Sequence, residues 1–395
     1  MKERQGVEIA QFSEVISVLY IQDPTYDGSK LLHEALLEAC GSATRGAGTY
    51  AFVSVDGVNL LMNDPAFIHF LDRGPFHLVI GMDEITNTRT LSALNTFCEQ
   101  HINLTVHAFL HYTSGSTFHP KFSWFRCQRG GYLIAGSGNL TQKGLRRNRE
   151  AYEFSRVSEK EIQAIEDEWS TWLTSCRVYL RNLDDPGVIE RAEDNARRAA
   201  AQAASRPHRR PPASRLPIVA GAPEAIEPTL YEGDEIGSWE FDEQCPVLIA
   251  EIPNAGARWH QANFDARTFV TFFNSQLGVP GQDMLVLRDV KWGGSLGEIQ
   301  QRPPVSVASH NYRVELSIEG GVQYPDDGRP LGVFVRLSTR TFLYMILFPS
   351  DAGHAALQSV LDRDRIRTNR LVRYQTNALE LRELCPDLPL LEYLS

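Results

Sequence analysis

Prolines at positions 207, 211, 212, 217, 223 and 228 crowd one stretch of this sequence, and no other feature restricts the fold as strongly. Proline fixes φ and lacks an N–H, so a segment this rich in it builds neither a helix interior nor a central strand. It behaves as a semi-rigid spacer. The 395 residues are thereby divided into two parts, each long enough for its own core. The composition shifts somewhat earlier, near Asp184, where 188–204 is an Ala/Arg/Glu segment of good helix propensity. The organisation expected is a first domain over 1–183, a helical and then Pro-rich linker over 184–229, and a second domain over 230–395.

The first part alternates between strand-like and helix-like patterns. Apolar runs suited to strands occupy 15–21, 50–55, 76–82 and 103–110, with helical periodicity over 31–40, 65–71 and 91–101 between them. After His111 the strands come closer together, at 121–127, 132–135 and 151–156, before a helix over 159–173 that carries Trp169 and Trp172. This pattern predicts an α/β domain, a sheet covered by helices. The second part has short strand candidates at 247–252, 284–287, 312–317, 332–337 and 341–347, with turns at Gly293-Gly294 and Gly320-Gly321. Helices are expected at 266–273 and 355–361. Such spacing predicts a mainly β domain, an antiparallel sheet or small barrel.

No run of 18 or more apolar residues occurs, and the first residues lack the apolar core of a signal peptide. A cytoplasmic protein without a membrane span is expected. The six cysteines lie far apart with no C-x-x-C pair, which predicts reduced thiols rather than a zinc ribbon or a disulfide framework. The net charge of −10 runs against a nucleic-acid partner, but its distribution matters more than its sum. From Arg126 to Arg149 the chain carries Arg126, Arg129, Lys143, Arg146, Arg147 and Arg149 and no acidic residue. A second cluster is Arg363, Arg365, Arg367, Arg370 and Arg373. Both are candidate phosphate-facing patches.

The first cluster surrounds the stretch that carries chemistry: His119-Pro-Lys121, then Gly136-Ser137-Gly-Asn139, then Glu150. His119 and Lys121 are two apart at a strand start and share a face, as do Ser137 and Asn139 at a strand end. If these strands are neighbours, an imidazole, an ammonium, a hydroxyl and a carboxamide converge. That set suits a phosphodiester. Lys121 and Asn139 match the charge that builds on the non-bridging oxygens. His119 is a nucleophile able to attack phosphorus. Glu150 is placed to hold the other ring nitrogen and fix the tautomer. No acidic cluster with metal-ligand spacing accompanies these residues, so neither a metal nor another cofactor is expected. Singly, each residue is more often structural; the order and spacing carry the weight.

This order resembles the phospholipase D superfamily motif, H-x-K followed by G-S-x-N and a downstream Glu. The resemblance implies that His119 is the nucleophile or its acid partner, that Lys121 and Asn139 bind phosphate, that Ser137 assists, and that Glu150 orients the histidine. There are two departures. Many members carry Asp five residues after the Lys, where this chain has Arg126. The superfamily's site also uses two motifs, whereas of the 11 histidines here only His119 has Lys two residues on. The resemblance therefore implies a homodimer with the site at its interface.

A single-motif phospholipase D domain, a linker and a C-terminal β domain resemble the BfiI-like restriction endonucleases. Their second domain is similar to the plant "B three" pseudobarrel, which reads DNA bases. Arg258, Trp259, Gln261 and Asn263 lie in a segment with the look of such domains, and Arg, Gln and Asn are the types that make bidentate contacts to base edges. Lys291, Arg302, Arg365, Arg367 and Arg370 are further candidates for DNA contact. The partner implied is double-stranded DNA. Some relatives with this layout work with a separate helicase-like ATPase, and the present chain has no Walker A loop of its own. A lipid phosphotransferase would use the same site but should display an apolar membrane surface. A non-catalytic DNA-binding protein would leave the intact His119 set unexplained.

Overall fold

The computed structural model describes residues 16–113, 115–205, 238–254, 261–275, 284–303, 305–306, 311–317, 323–363, 365 and 371–395; the Pro-rich stretch lies outside them. The first part runs β1 (Ile16–Gln22), α1 (Leu32–Gly41), β2 (Arg45–Tyr50), α2 (Val55–Met62), α3 (Pro65–Arg73), β3 (Phe76–Gly81), α4 (Thr88–Gln100) and β4 (Leu104–Phe109). It continues through β5 (Lys121–Arg126), β6 (Gly131–Gly136), a π-helical turn over Lys143–Arg147, β7 (Glu150–Val157), α5 (Glu159–Ser175), β8 (Leu180–Arg181) and α6 (Pro186–Ser205). Its eight strands form one mixed sheet in the order β1-β7-β6-β5-β2-β3-β4-β8. β2, β3 and β4 are parallel, and β5, β6 and β7 are an antiparallel meander. This is the α/β domain that the periodicity predicts.

One local expectation fails there. The strand predicted at 50–55 instead ends at Tyr50, and Val55–Met62 is helical. Ser54 caps that helix by accepting the Gly57 N–H. The observed strand begins at Arg45 and contains Gly46 and Gly48, which weaken β propensity on paper. Packing requires them. A Cβ at Gly46 would stand 2.7 Å from the Trp124 carbonyl oxygen, and one at Gly48 2.5 Å from the Ser123 hydroxyl.

The second part runs β9 (Pro246–Glu251), β10 (Gln261–Asp265), α7 (Ala266–Thr271), β11 (Leu285–Asp289), β12 (Gln300–Arg302), β13 (Val305–Ser306), β14 (Asn311–Glu315), β15 (Leu331–Ser338), β16 (Thr341–Leu347), α8 (His354–Arg363), β17 (Arg373–Asn377) and α9 (Ala378–Leu384). Two sheets result, β12-β11-β16-β15-β9-β17 and β10-β14-β13. Pairing is antiparallel except between β11 and β16. Among the described residues no helix is long and apolar enough to cross a membrane.

The helical half of the segment expected as linker is packed against the first sheet's helices. Val188 and Ala192 of α6 are fully buried, and Asn195 donates to the Met82 and Thr86 carbonyls at 3.0 and 2.8 Å. The two parts also share one apolar cluster, running from Leu36 and Leu140 to Trp239, Val290 and Leu390. Buried polar groups cross the same boundary. Arg340, at the β15–β16 turn, is 0% exposed and donates to Glu34 of α1 at 2.6 and 2.9 Å. Arg146, equally buried, donates to Thr341 and to the Arg340 carbonyl. Asp56 of α2 accepts from Trp239 at 2.8 Å and from Arg288 at 3.2 Å.

Candidate active site

The site lies where β5 begins and β6 ends. Phe122 pairs with Ala135, which sets Lys121 opposite Gly136, and β7 pairs on the far side of β6. The strands that lead into and out of the motif are therefore neighbours. Lys121 Nζ lies 3.0 Å from both ring nitrogens of His119 and donates to the His119 carbonyl at 3.1 Å. Burial lowers the pKa of this ammonium, and the Glu150 carboxylate works against that shift. His119 itself is exposed, with Phe52 edge-on to its ring at 5.9 Å.

Asn139 is oriented by its backbone surroundings. Its Oδ1 accepts the Phe52 N–H at 3.1 Å, so the amide NH₂ is the side left free for an oxyanion. Ser137 Oγ donates to Glu150 Oε2 and accepts the Ala151 N–H at 3.1 Å. Glu150 Oε1 accepts from Asn148 Nδ2 at 3.0 Å. Among the described residues Glu150 is held by Ser137 and Asn148, and the only hydrogen-bond partner of the His119 ring is Lys121. Glu150 extends from β7, across β6 from the histidine, and the hydroxyl at the end of β6 intercepts it.

Downstream of Asn139 the chain turns sharply through Lys143–Arg147. A Cβ on Gly144 would stand 2.5 Å from the Asn139 oxygen and 2.7 Å from its nitrogen, so only glycine permits this approach. Gln22, at the end of β1, clamps the turn by donating to the Gly144 and Asn148 carbonyls. On the other flank Asp83 accepts the Phe118 N–H at 2.8 Å and faces His111 at 3.4 Å and Arg191 of α6 at 3.6 Å. It anchors the loop that delivers His119. Phe52, Gln22 and Asp83 have no sequence signal; they reach the site only through pairing across many residues.

Three of the six residues of the first basic cluster are engaged inside the protein. Arg126 is buried and tied to Glu159, Gln163 and Glu166 of α5. On β5 it points to the opposite face from Lys121, toward the acidic side chains of α5. Arg146 is inside the boundary between the parts, and Arg147 donates to the Ser238 and Glu240 carbonyls. Arg129 and Arg149 are exposed, the latter 3.4 Å from Asp23.

Of the candidates for base reading, Arg258, Trp259, Arg367 and Arg370 lie outside the described residues. Gln261 and Asn263 fall on β10, with only their backbone described. Lys291 is exposed in the loop after β11. Arg302 faces Glu315 at 3.6 Å, and Arg365 is paired with Asp362 at 2.9 Å and with Glu251. Among the described residues no three of His, Cys, Asp or Glu gather as metal ligands would.

No family model and no curated protein matches the chain. Solved structures similar to part of it include Nuc, a phospholipase D family member from Salmonella typhimurium, at 17% identity over 43% of this chain and 98% of that one, with a TM-score of 0.32. NucT from Helicobacter pylori is 12% identical over 43% of this chain and 99% of its own, with a TM-score of 0.30. A phosphatidylserine synthase from Haemophilus influenzae Rd KW20 is 13% identical over 48% of this chain and 47% of its own, with a TM-score of 0.32.

Proposed function

We propose that this chain is a phosphodiesterase that cuts DNA, and more narrowly a metal-independent, site-specific endonuclease acting through a covalent phosphohistidine. What supports the reading is the placement of His119 and Lys121 at the start of β5, beside the end of β6 that leads into Ser137 and Asn139, with Glu150 opening β7 and bonded to Ser137. Lys121 supplies the cation and Asn139 the NH₂ donors that match the developing oxyanion charge. A neutral His119 forms an N–P bond while the P–O bond to the leaving nucleotide breaks. An acid on the far side must protonate that oxygen, and one chain supplies only one such imidazole. In our reading the partner subunit's His119 gives the proton. It then takes one from the water that displaces the phosphorylated nitrogen. The second part, mainly β, reads the target sequence as a pseudobarrel.

The test is incubation of the full chain and of His119→Ala with several plasmids in excess EDTA, with fragment ends sequenced. Discrete ends from the parent chain alone are expected. Strict dependence on added Mg²⁺, or cutting by His119→Ala, refutes the mechanism.

A further inference from the structure

A cavity of about 770 Å³ opens beside His119 on the α5 side of the sheet, and the chemistry above makes no use of it. Its walls are aromatic: Phe109 at the end of β4, Phe118, Phe122, Trp169 and Trp172 of α5, and Tyr179. Phe109 and Phe118 are stacked at 4.2 Å and 16°, and Trp172 continues the same orientation, 8° from the plane of Phe109. Trp172 is only partly buried and Tyr179 is 41% exposed, so the wall presents ring faces rather than a closed core.

Two polar groups make this more than an apolar dent. Thr49, on β2, lines the cavity with its side chain fully buried, and its hydroxyl has no hydrogen-bond partner. An orphaned buried hydroxyl costs free energy unless something satisfies it. Glu168 of α5 is also in the lining and is exposed.

Parallel rings select a flat ring. A buried hydroxyl and a carboxylate select one that carries N–H groups and acceptors at its edge. An acyl chain would leave Thr49 unpartnered, and a second phosphate would be repelled by Glu168. A nucleobase meets all three conditions, and His119 itself forms part of the lining. We infer that this cavity receives one unpaired base adjacent to the phosphate held at His119, stacked against Trp172 and hydrogen-bonded to Thr49. The inference rests on the reading of the site as a nucleic-acid phosphodiesterase. It adds that the substrate strand is single, or is opened at one nucleotide, when it is cut.

Binding and cleavage are measured separately on the full chain. Short single-stranded oligonucleotides are titrated against tryptophan fluorescence, next to the same strands with abasic residues and to phosphatidylglycerol vesicles. Base-bearing strands should quench the fluorescence and bind roughly tenfold or more tightly than abasic ones. Trp172→Ala should remove most of that difference. Thr49→Val, nearly isosteric, should weaken binding of the base-bearing strand several-fold while leaving the melting temperature of the free protein unchanged or higher. A merely structural threonine would not give that pair of results. Equal binding of base-bearing and abasic strands, indifference to both substitutions, or vesicles as the sole ligand overturns the inference, whether or not the strands are cut. Base-dependent binding with no cleavage of any DNA leaves the pocket standing and overturns the nuclease reading instead.

Discussion

Replacing Glu34 by Ala should destabilise the protein by about 4 kcal/mol, the loss observed when one partner of a buried ion pair is removed. The structure shows where the loss comes from. Arg340 is 0% exposed and Glu34 3%, and the carboxylate accepts two charged hydrogen bonds from the guanidinium at 2.6 and 2.9 Å. Each such bond contributes roughly 1.5–3 kcal/mol. The same carboxylate accepts the Leu31 N–H at the start of α1 and stands 4.0 Å from Arg146, also fully buried. Without Glu34, two guanidinium groups share one buried site with no carboxylate in hydrogen-bond contact. Against a typical net stability of 5–15 kcal/mol, this is a large fraction. The assay is urea unfolding followed by tryptophan fluorescence, for Glu34→Ala, Arg340→Ala and the double variant. Because either single change already breaks the pair, the second should add little. The coupling energy should then reach about 2 kcal/mol or more, within the range for residues of one network. A coupling below about 0.5 kcal/mol would show that the two parts do not depend on this pair, and the account of their shared boundary would be wrong.

Three further outcomes are expected. When parent chains exchange subunits with excess His119→Ala, cleavage should fall as the square of the parent fraction; a linear fall, with mixed dimers shown to form, would mean that each chain carries a complete site. Gly144→Ala forces its Cβ against the Asn139 backbone, so cleavage should drop at least tenfold with the circular dichroism spectrum unchanged, and full activity would refute the packing argument. Burial and then the Arg146 charge push the pKa of His33 down to about 3, so the folded protein keeps it neutral while the unfolded chain protonates it near pH 6.5. Stability from this group is therefore present above pH 6.5 and is lost as pH falls towards 3. It should amount to about 2 kcal/mol lost at pH 5. Urea unfolding of His33→Gln at both pH values should show a correspondingly smaller loss, and an unchanged pH dependence would refute the assignment.

Much of the fold was legible because its signals are local. The helix over Glu159–Ser175 begins with Ser158 and Glu161 in a reciprocal cap, and its apolar stripe buries Ile162 and Trp169. β15 and β16 read as continuous apolar runs because both are buried along nearly their whole length. β17 escaped notice, since Arg373–Asn377 is polar and half-buried at a sheet edge, and only its pairing with β9 makes it a strand. β2 was hidden for the opposite reason: its glycines answer to Trp124 and Ser123, residues about 75 positions away in the chain, and no local pattern announces that.

The site divides along the same line. His119 and Lys121 lie two residues apart, as do Ser137 and Asn139; in the fold His119 stands just before β5 and Ser137 and Asn139 just after β6, and the β5–β6 pairing sets these two strand ends side by side. The arginines could not be read that way. A charge in a sequence is taken to be solvated unless a partner is in view, and the partners of these arginines are remote. Arg146 meets Thr341 after 195 residues, Arg340 meets Glu34 after 306, and Arg288 meets Asp56 after 232. Even Arg126 depends on a helix that starts 33 residues later. Half of the clustered charge that suggested a phosphate-binding surface is thus spent on internal contacts. Lys121 is the cation in contact with His119. A protein of net charge −10 with half of this cluster turned inward gains from other means of holding a polyanion. Doubling the site by dimerisation brings a second Lys121 to one phosphate, and stacking a base in the aromatic cavity adds contact energy without charge. If both hold, binding of substrate should weaken with salt less steeply than for a protein that grips DNA through a basic groove. A log–log salt slope steeper than about −5, equivalent to more than five released counterions, would show that the grip is electrostatic after all.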